Sequence, residues 1–145
     1  MKTIKAGVIG ATGYAGLELV RLLLAHPHAE VTAISSVSYA GQAISAVYPQ
    51  LTGLCDLTLT DDGGVIDACN VVFTSMPAGH AEPVARRCFD AGKLMIDLGA
   101  DFRLENEADY RQWYGGQYAD PALHQQAVYC IPELHRACAH GAKLI

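Results

Sequence analysis

An α/β fold built on a doubly wound, mostly parallel sheet is what this sequence predicts, on three observations. Short runs that are apolar throughout, rather than at alternate positions, recur along the chain. That is the pattern of strands covered on both faces. Longer stretches of helical character separate them, so successive strands are joined by crossovers lying on the sheet. The first apolar run also leads directly into a cluster of glycines.

The elements follow in order. Ala6-Gly7-Val8-Ile9-Gly10 reads as the first strand. Tyr14 to Ala25 carries Leu17, Leu19, Val20, Leu22, Leu23 and Leu24, the broad apolar face of a helix on a sheet, and Pro27 stops it. Val31–Ser35 is a β-branched second strand. Residues 36–53 read as irregular, and Leu57-Thr58-Leu59 as a short third strand. Asn70–Ser75 is a stronger strand, turned by Met76-Pro77-Ala78-Gly79. His80 to Ala91 reads as a helix, with Pro83 in its first turn and Gly92 as its C-terminal glycine. Leu94–Leu98 is the next strand. Helices are expected over Glu107–Tyr114, closed by Gly115-Gly116, and from about Glu133 to Ala139. Lys143-Leu144-Ile145 reads as the opening of a further strand.

The glycines stand as Gly10-Ala11-Thr12-Gly13-Tyr14-Ala15-Gly16, between the first strand and the first helix. Gly10 permits a tight turn, Gly13 a close approach of backbone to a pyrophosphate, and Gly16 close packing of helix on strand. The helix N-terminus adds free N–H groups and a partial positive charge. This spacing in this context makes the fold a Rossmann-type, NAD(P)-binding one. A ligand-free structural turn is the bland alternative. No Lys-Ser or Lys-Thr follows the glycines, so this is no Walker-type phosphate loop.

An NAD-preferring domain places Asp or Glu at the end of the second strand, on the ribose hydroxyls. Here the residues are Ser35, Ser36, Val37 and Ser38. Three hydroxyls and no carboxylate favour NADP over NAD, although no Arg stands nearby to pair with a 2′-phosphate.

The formal net charge is −5, and no Lys or Arg occurs between Arg21 and Arg86. Both features argue against a nucleic-acid partner. No apolar run is long enough to span a bilayer, which argues against a membrane partner. Five cysteines, an odd number without a C-x-x-C pair, read as reduced thiols in a cytoplasmic protein. The histidines outside position 80 show no metal-ligand spacing and read as surface residues, so no metal is expected. Asp61-Asp62-Gly63-Gly64 reads as a loop rather than a calcium site. Tyr110, Trp113, Tyr114 and Tyr118 are expected to pack their segment against the sheet.

With these residues in view, the chain resembles the N-acetyl-γ-glutamyl-phosphate reductases of arginine biosynthesis. The resemblance runs through Gly10–Leu19, Ser38-Tyr39-Ala40-Gly41, Tyr48-Pro49-Gln50-Leu51 and Pro77-Ala78-Gly79-His80. It continues through Asp97–Leu104, Tyr114-Gly115 and Tyr129–Leu134. It implies that residues 1–145 are one dinucleotide-binding domain, with the nucleophilic cysteine, a catalytic histidine and the substrate domain lying beyond Ile145. No catalytic residue is therefore expected here. The implied chemistry is a cysteine thioester formed from an acyl-phosphate substrate and reduced by hydride transfer to a semialdehyde. The intact enzyme is expected to be a homo-oligomer. Two departures stand out: Val37 replaces the Arg frequent after the serine pair, and Cys130 replaces a common Gly. That thiol is expected to be a packing substitution, not a nucleophile.

Gly10, Thr12, Gly13, Tyr14, Ala15, Gly16, Ser35, Ser36, Ser38, Pro77, Ala78 and Gly79 are thus the candidate cofactor contacts. Arg103 is the candidate substrate ligand, its planar guanidinium suiting a phosphate or carboxylate. An internal ion pair with Asp97 or Asp101 is the alternative. His80 reads as a surface histidine, and Glu133 as a charge favourable to a helix dipole rather than a site wall. The rivals are an aspartate-semialdehyde dehydrogenase-like enzyme, which shares the glycine turn, and a non-catalytic dinucleotide-sensing module.

Overall fold

The computed structural model describes residues 3–145. Strand β1 (Ile4–Ile9) leads through the glycine turn into helix α1 (Tyr14–Leu24), and β2 (Ala29–Ser35) follows. A short helix α2 (Ile44–Val47) and a 3-10 turn (Pro49–Leu51) precede β3 (Leu59–Thr60). Helix α3 (Asp62–Ala68), β4 (Val71–Thr74), α4 (Ala81–Asp90) and β5 (Leu94–Asp97) complete the alternating part. Helices α5 (Glu107–Tyr114), α6 (Pro121–His124) and α7 (Pro132–His135) and a 3-10 turn (Arg136–Ala139) follow.

The five strands form one sheet in the order β3-β2-β1-β4-β5, with every pair parallel. Lys143–Ile145 runs beside β5: Met95 N donates to Lys143 O at 2.9 Å and Ile145 N to Met95 O at 3.0 Å. The sheet turns back on its own order at β1, where β2 lies on one side and β4 on the other. In such sheets ligands bind outside the carboxyl ends of the strands at that point.

Two apolar clusters cover the faces. One joins Ala6, Val8, Val20, Leu23, Ile34, Ile44, Leu51 and Leu59, and belongs to α1 and α2. The other joins Ile9, Val65, Ile66, Val72, Val84, Cys88 and Met95, and belongs to α3 and α4. Adjacent residues of β1 therefore point into different clusters, which is why the strands read as continuously apolar. Each such aliphatic side chain contributes roughly 1.5–3 kcal/mol by leaving water. Gly7 is where α3 comes close to β1: a β-carbon there would lie 2.5 Å from Val65 Cγ1 and 2.9 Å from Cys69 Sγ.

Several local readings change, and residues 36–53, expected to be irregular, carry α2 and a 3-10 turn. Asp61-Asp62-Gly63-Gly64 is not a loop but the start of α3, because the Asp61 side chain caps it by accepting from Gly64 N at 2.8 Å. The expected helix over 133–139 divides into α7 and a 3-10 turn, since His135, at φ −136, leaves helical geometry. Trp113 stands 73% exposed rather than packing on the sheet, whereas Tyr110 is buried. Helix α4 ends as expected. Gly92, at φ +67, lets Lys93 N reach Cys88 O at 2.8 Å and Gly92 N reach Phe89 O at 3.0 Å. Among the described residues, no helix is long and apolar enough to cross a membrane.

Candidate functional site

The glycine turn lies at the carboxyl end of β1. Gly10 has φ +79, and a β-carbon on it would be driven into the Ser75 carbonyl at the end of β4. A β-carbon on Gly16 would overlap the Gly10 carbonyl and lie 2.9 Å from Ala11 Cα. Gly13 differs. In extended conformation at the N-cap of α1, its β-carbon would meet only Gly10 O, at an ordinary 3.5 Å. Nothing among the described residues requires glycine at that position. A phosphate held close to this backbone would, and the residues therefore fit a dinucleotide's pyrophosphate. Among the described residues no side chain caps α1, so the amides of Tyr14, Ala15 and Gly16 lack side-chain acceptors there.

The floor of the turn is braced. Ala11 N donates to Ser35 O at 2.9 Å, and the Tyr48 hydroxyl donates to Thr12 O at 2.6 Å. The Thr12 and Ser36 hydroxyls lie 2.6 Å apart. Of the three serines expected to receive a 2′-phosphate, Ser35 is withdrawn: it is buried, and its hydroxyl donates to Asp62 Oδ1 at 2.7 Å. Strand alternation turns it inward towards α3. Ser36 is also buried, against Thr12, while Val37 and Ser38 are exposed.

The segment Pro77-Ala78-Gly79 is exposed at the end of β4, and Gly79 has φ +88. Asp101, 1% exposed, holds it: Gly79 N donates to Oδ1 at 2.6 Å and Ala81 N to Oδ2 at 2.8 Å. The Tyr110 hydroxyl donates to Oδ1 at 2.8 Å. This carboxylate caps α4 from across the fold, in the role that the side chain of His80 does not fill. Burial, together with the bond to Asp101, pushes the Tyr110 hydroxyl's pKa upward.

Beyond β5 a cavity of about 490 Å³ is lined by residues that include Asp97, Arg103, Tyr129, Cys130 and Ile145. Arg103 is exposed, bonding to the Tyr114 hydroxyl at 3.3 Å and the Gly99 carbonyl at 3.2 Å. Among the described residues it forms no ion pair with Asp97 or Asp101, which leaves its charge directed to solvent and cavity. Asp97 accepts from the Thr74 hydroxyl at 2.6 Å and Gly99 N at 3.1 Å through Oδ1, while its buried Oδ2 has no partner among the described residues.

Burial pushes the Asp97 carboxyl above its ordinary 3.8, against the opposing bonds from Thr74 and Gly99. A carboxyl raised in the folded state contributes stability that is full below the unfolded value and lost as pH rises through the folded one. Asp97→Asn, which mimics the protonated form, is expected to abolish that loss. Thermal melts from about pH 4 upward should show the native stability falling relative to the variant. Parallel curves would contradict the burial of Asp97.

Three features escaped the sequence reading. Asp101 anchors the backbone amides of Gly79 and Ala81 rather than pairing with Arg103. Asp62 reaches Ser35 from a helix read as a loop. His124, expected at the surface, has a side chain only 5% exposed, paired with buried Glu82 at 2.9 Å and stacked on Tyr118. Among the described residues, no group of three or more His, Cys, Asp or Glu side chains could hold a metal ion.

The family model described as semialdehyde dehydrogenase, NAD binding domain, matches residues 5–142. The chain is similar to the N-acetyl-gamma-glutamyl-phosphate reductase of Brachyspira hyodysenteriae, 50% identical over 131 residues, covering 90% of this chain and 37% of that protein. Against the reductase of that name from Moorella thermoacetica it is 49% identical over 145 residues, covering 98% and 42%. The chain thus spans about two fifths of the length of these relatives. Among solved structures it is similar to an aspartate semialdehyde dehydrogenase with NADP from Candida albicans. That match has a TM-score of 0.63 and 26% identity, and covers 73% of this chain and 32% of the other.

Proposed function

Since the chain belongs to the family of semialdehyde dehydrogenase NAD-binding domains, we propose that residues 1–145 are the dinucleotide-binding domain of an N-acetyl-γ-glutamyl-phosphate reductase. The single observation that carries the cofactor role is Gly13, where an open N-cap meets a helix start without a side-chain cap. Identities near one half with reductases of that name carry the choice over the aspartate-semialdehyde relatives.

The pyrophosphate is held by the amides of Tyr14, Ala15 and Gly16, with Gly10 and Gly16 fixing the turn. Thr12 and Ser36 support the floor beneath it. Pro77, Ala78 and Gly79 border the nicotinamide half, where Asp101 keeps their backbone in place. A bound nicotinamide dinucleotide supplies a hydride, and this chain's own residues bind it, orient it and shape the wall beside it. Arg103, which forms no ion pair with Asp97 or Asp101 among the described residues, binds the anionic group of an acyl-phosphate substrate from the cavity mouth. The reading is of NADP rather than NAD, because Val37 and Ser38 leave the end of β2 open and no carboxylate of β2 occupies it. Ser38, rather than Ser35, is the hydroxyl that meets the 2′-phosphate. The intact enzyme is a cytoplasmic homo-oligomer, with its nucleophile supplied from outside these residues.

Calorimetric titration of the 145-residue chain tests this. NADPH is expected to bind at least ~10-fold more tightly than NADH, a difference of about 1.4 kcal/mol. Gly13→Ala is expected to leave the melting temperature unchanged while weakening NADPH by more than about 10-fold, because its methyl intrudes only where phosphate would sit. Equal binding of the two cofactors would overturn the NADP reading. Unaltered binding by Gly13→Ala would overturn the placement of the pyrophosphate.

A further inference from the structure

The five cysteines divide sharply. Cys55, Cys69 and Cys88 are buried in the two apolar clusters. Burial raises the Cys69 thiol's pKa and pushes that of Cys88 up to about 12, which suppresses the reactive thiolate. Cys130 and Cys138 lie elsewhere, on the segment after α6, with Cys138 exposed and Cys130 half-buried at the cavity wall. Both thiols converge on one backbone atom. Cys138 Sγ is 2.8 Å, and Cys130 Sγ 3.6 Å, from the carbonyl oxygen of His135. Cys138 Sγ also lies 3.8 Å from the carbonyl of Tyr129, whose peptide bond leads into Cys130. The turn after α7 folds the chain back, so that residues eight apart in sequence bring their side chains together.

We infer that Cys130 and Cys138 form a reversible dithiol–disulfide pair at the mouth of the cavity beyond β5, a modification site that takes a peroxide as its oxidant. The exposed Cys138 thiolate attacks one peroxide oxygen, breaking the O–O bond. It becomes a sulfenic acid while hydroxide leaves and is protonated to water. Cys130 sulfur then attacks the Cys138 sulfur, the S–S bond forms, and the sulfenic oxygen departs as a second water. Two thiols and one hydrogen peroxide yield one disulfide and two waters. The link closes residues 131–137 into a loop and removes the Cys130 thiol from the cavity wall. Cys138 is exposed and Cys130 half-buried, so Cys138 meets the oxidant first and Cys130 is the resolving thiol. The pair stands independently of the cofactor reading, since neither sulfur belongs to the dinucleotide seat.

Native-state titration with an aromatic disulfide reagent should label two thiols quickly, with the other three following only on denaturation. Hydrogen peroxide at stoichiometric dose should remove two hydrogen masses from the intact chain. Peptide mapping under non-reducing conditions should join Cys130 to Cys138, and dithiothreitol should reverse the change. Cys130→Ser is expected instead to accumulate sulfenic and then sulfinic acid on Cys138, because the resolving thiol is gone. Both sulfurs lie outside the apolar clusters, so the variant is expected to melt with the native chain. Sulfinic acid accumulating on Cys138 of the unsubstituted chain, without a cross-link, would overturn the inference. A cross-link to Cys55, Cys69 or Cys88 would do the same.

Discussion

Gly16→Ala is expected to cost the fold at least about 3 kcal/mol and to lower its melting temperature by roughly 10 °C. The added methyl carbon has nowhere to go. It would overlap the Gly10 carbonyl and sit 2.8 Å from that residue's carbonyl carbon. These are backbone atoms of the turn itself, so no rotamer change can relieve the clash. Relief requires α1 to move off β1, which would open the cluster around Val8, Val20 and Ile34. Gly10→Ala should be comparably severe for two separate reasons. Its backbone at φ +79 strains any L side chain, by about 1–2 kcal/mol. Its methyl also meets the Ser75 carbonyl. The measurement is a pair of thermal melts beside Gly13→Ala, which shares the motif but not the packing. If Gly16→Ala melts within a degree or two of the native chain, the helix is not packed as described.

That contrast bears on what a sequence can and cannot disclose. The parallel sheet was legible because both of its faces are buried, and two-sided burial leaves an unmistakable apolar run at Val71–Phe73 and again at Leu94–Ile96. The glycine turn was legible because close backbone packing admits one residue type. Helix α3 was not, because Gly63-Gly64 weakens helix propensity and the decisive feature is a cap, Asp61 on Gly64 N. Tertiary packing of Val65 and Ile66 against the sheet supplies what propensity lacks. The direction of the Ser35 side chain was hidden for a related reason. A serine at the end of β2 reads as a phosphate ligand only if its side chain faces outward, and its direction depends on strand register and on Asp62, contributed by that unseen helix. Arg103 could be singled out by chemistry alone, but its freedom from Asp97 and Asp101 could not. Asp97 is turned to Thr74 and Gly99 through one oxygen, and Asp101 is occupied by Gly79, Ala81 and Tyr110.

Asp101 is where such a distant contact carries the largest consequence. Asp101→Asn is expected to destabilise the chain by about 3 kcal/mol and to weaken dinucleotide binding by roughly 10-fold. The carboxylate accepts three hydrogen bonds, from Gly79 N, Ala81 N and the Tyr110 hydroxyl, using both oxygens. An asparagine amide retains one oxygen. If that oxygen keeps Gly79 N and Tyr110, the NH₂ group confronts Ala81 N, donor against donor, at a buried position. The start of α4 also loses a negative charge matched to its dipole. The weakened binding follows because Pro77-Ala78-Gly79 is held in place by this carboxylate. Tyr110→Phe separates the two effects. It removes one of the three bonds and should cost about 1 kcal/mol, yet leaves both amides anchored and cofactor affinity intact. If Asp101→Asn loses stability but binds dinucleotide as the native chain does, the 77–79 segment is no part of the cofactor seat. If both variants weaken binding in proportion to their loss of stability, Asp101 acts through the fold at large. Loss of affinity in Asp101→Asn alone assigns it to the loop.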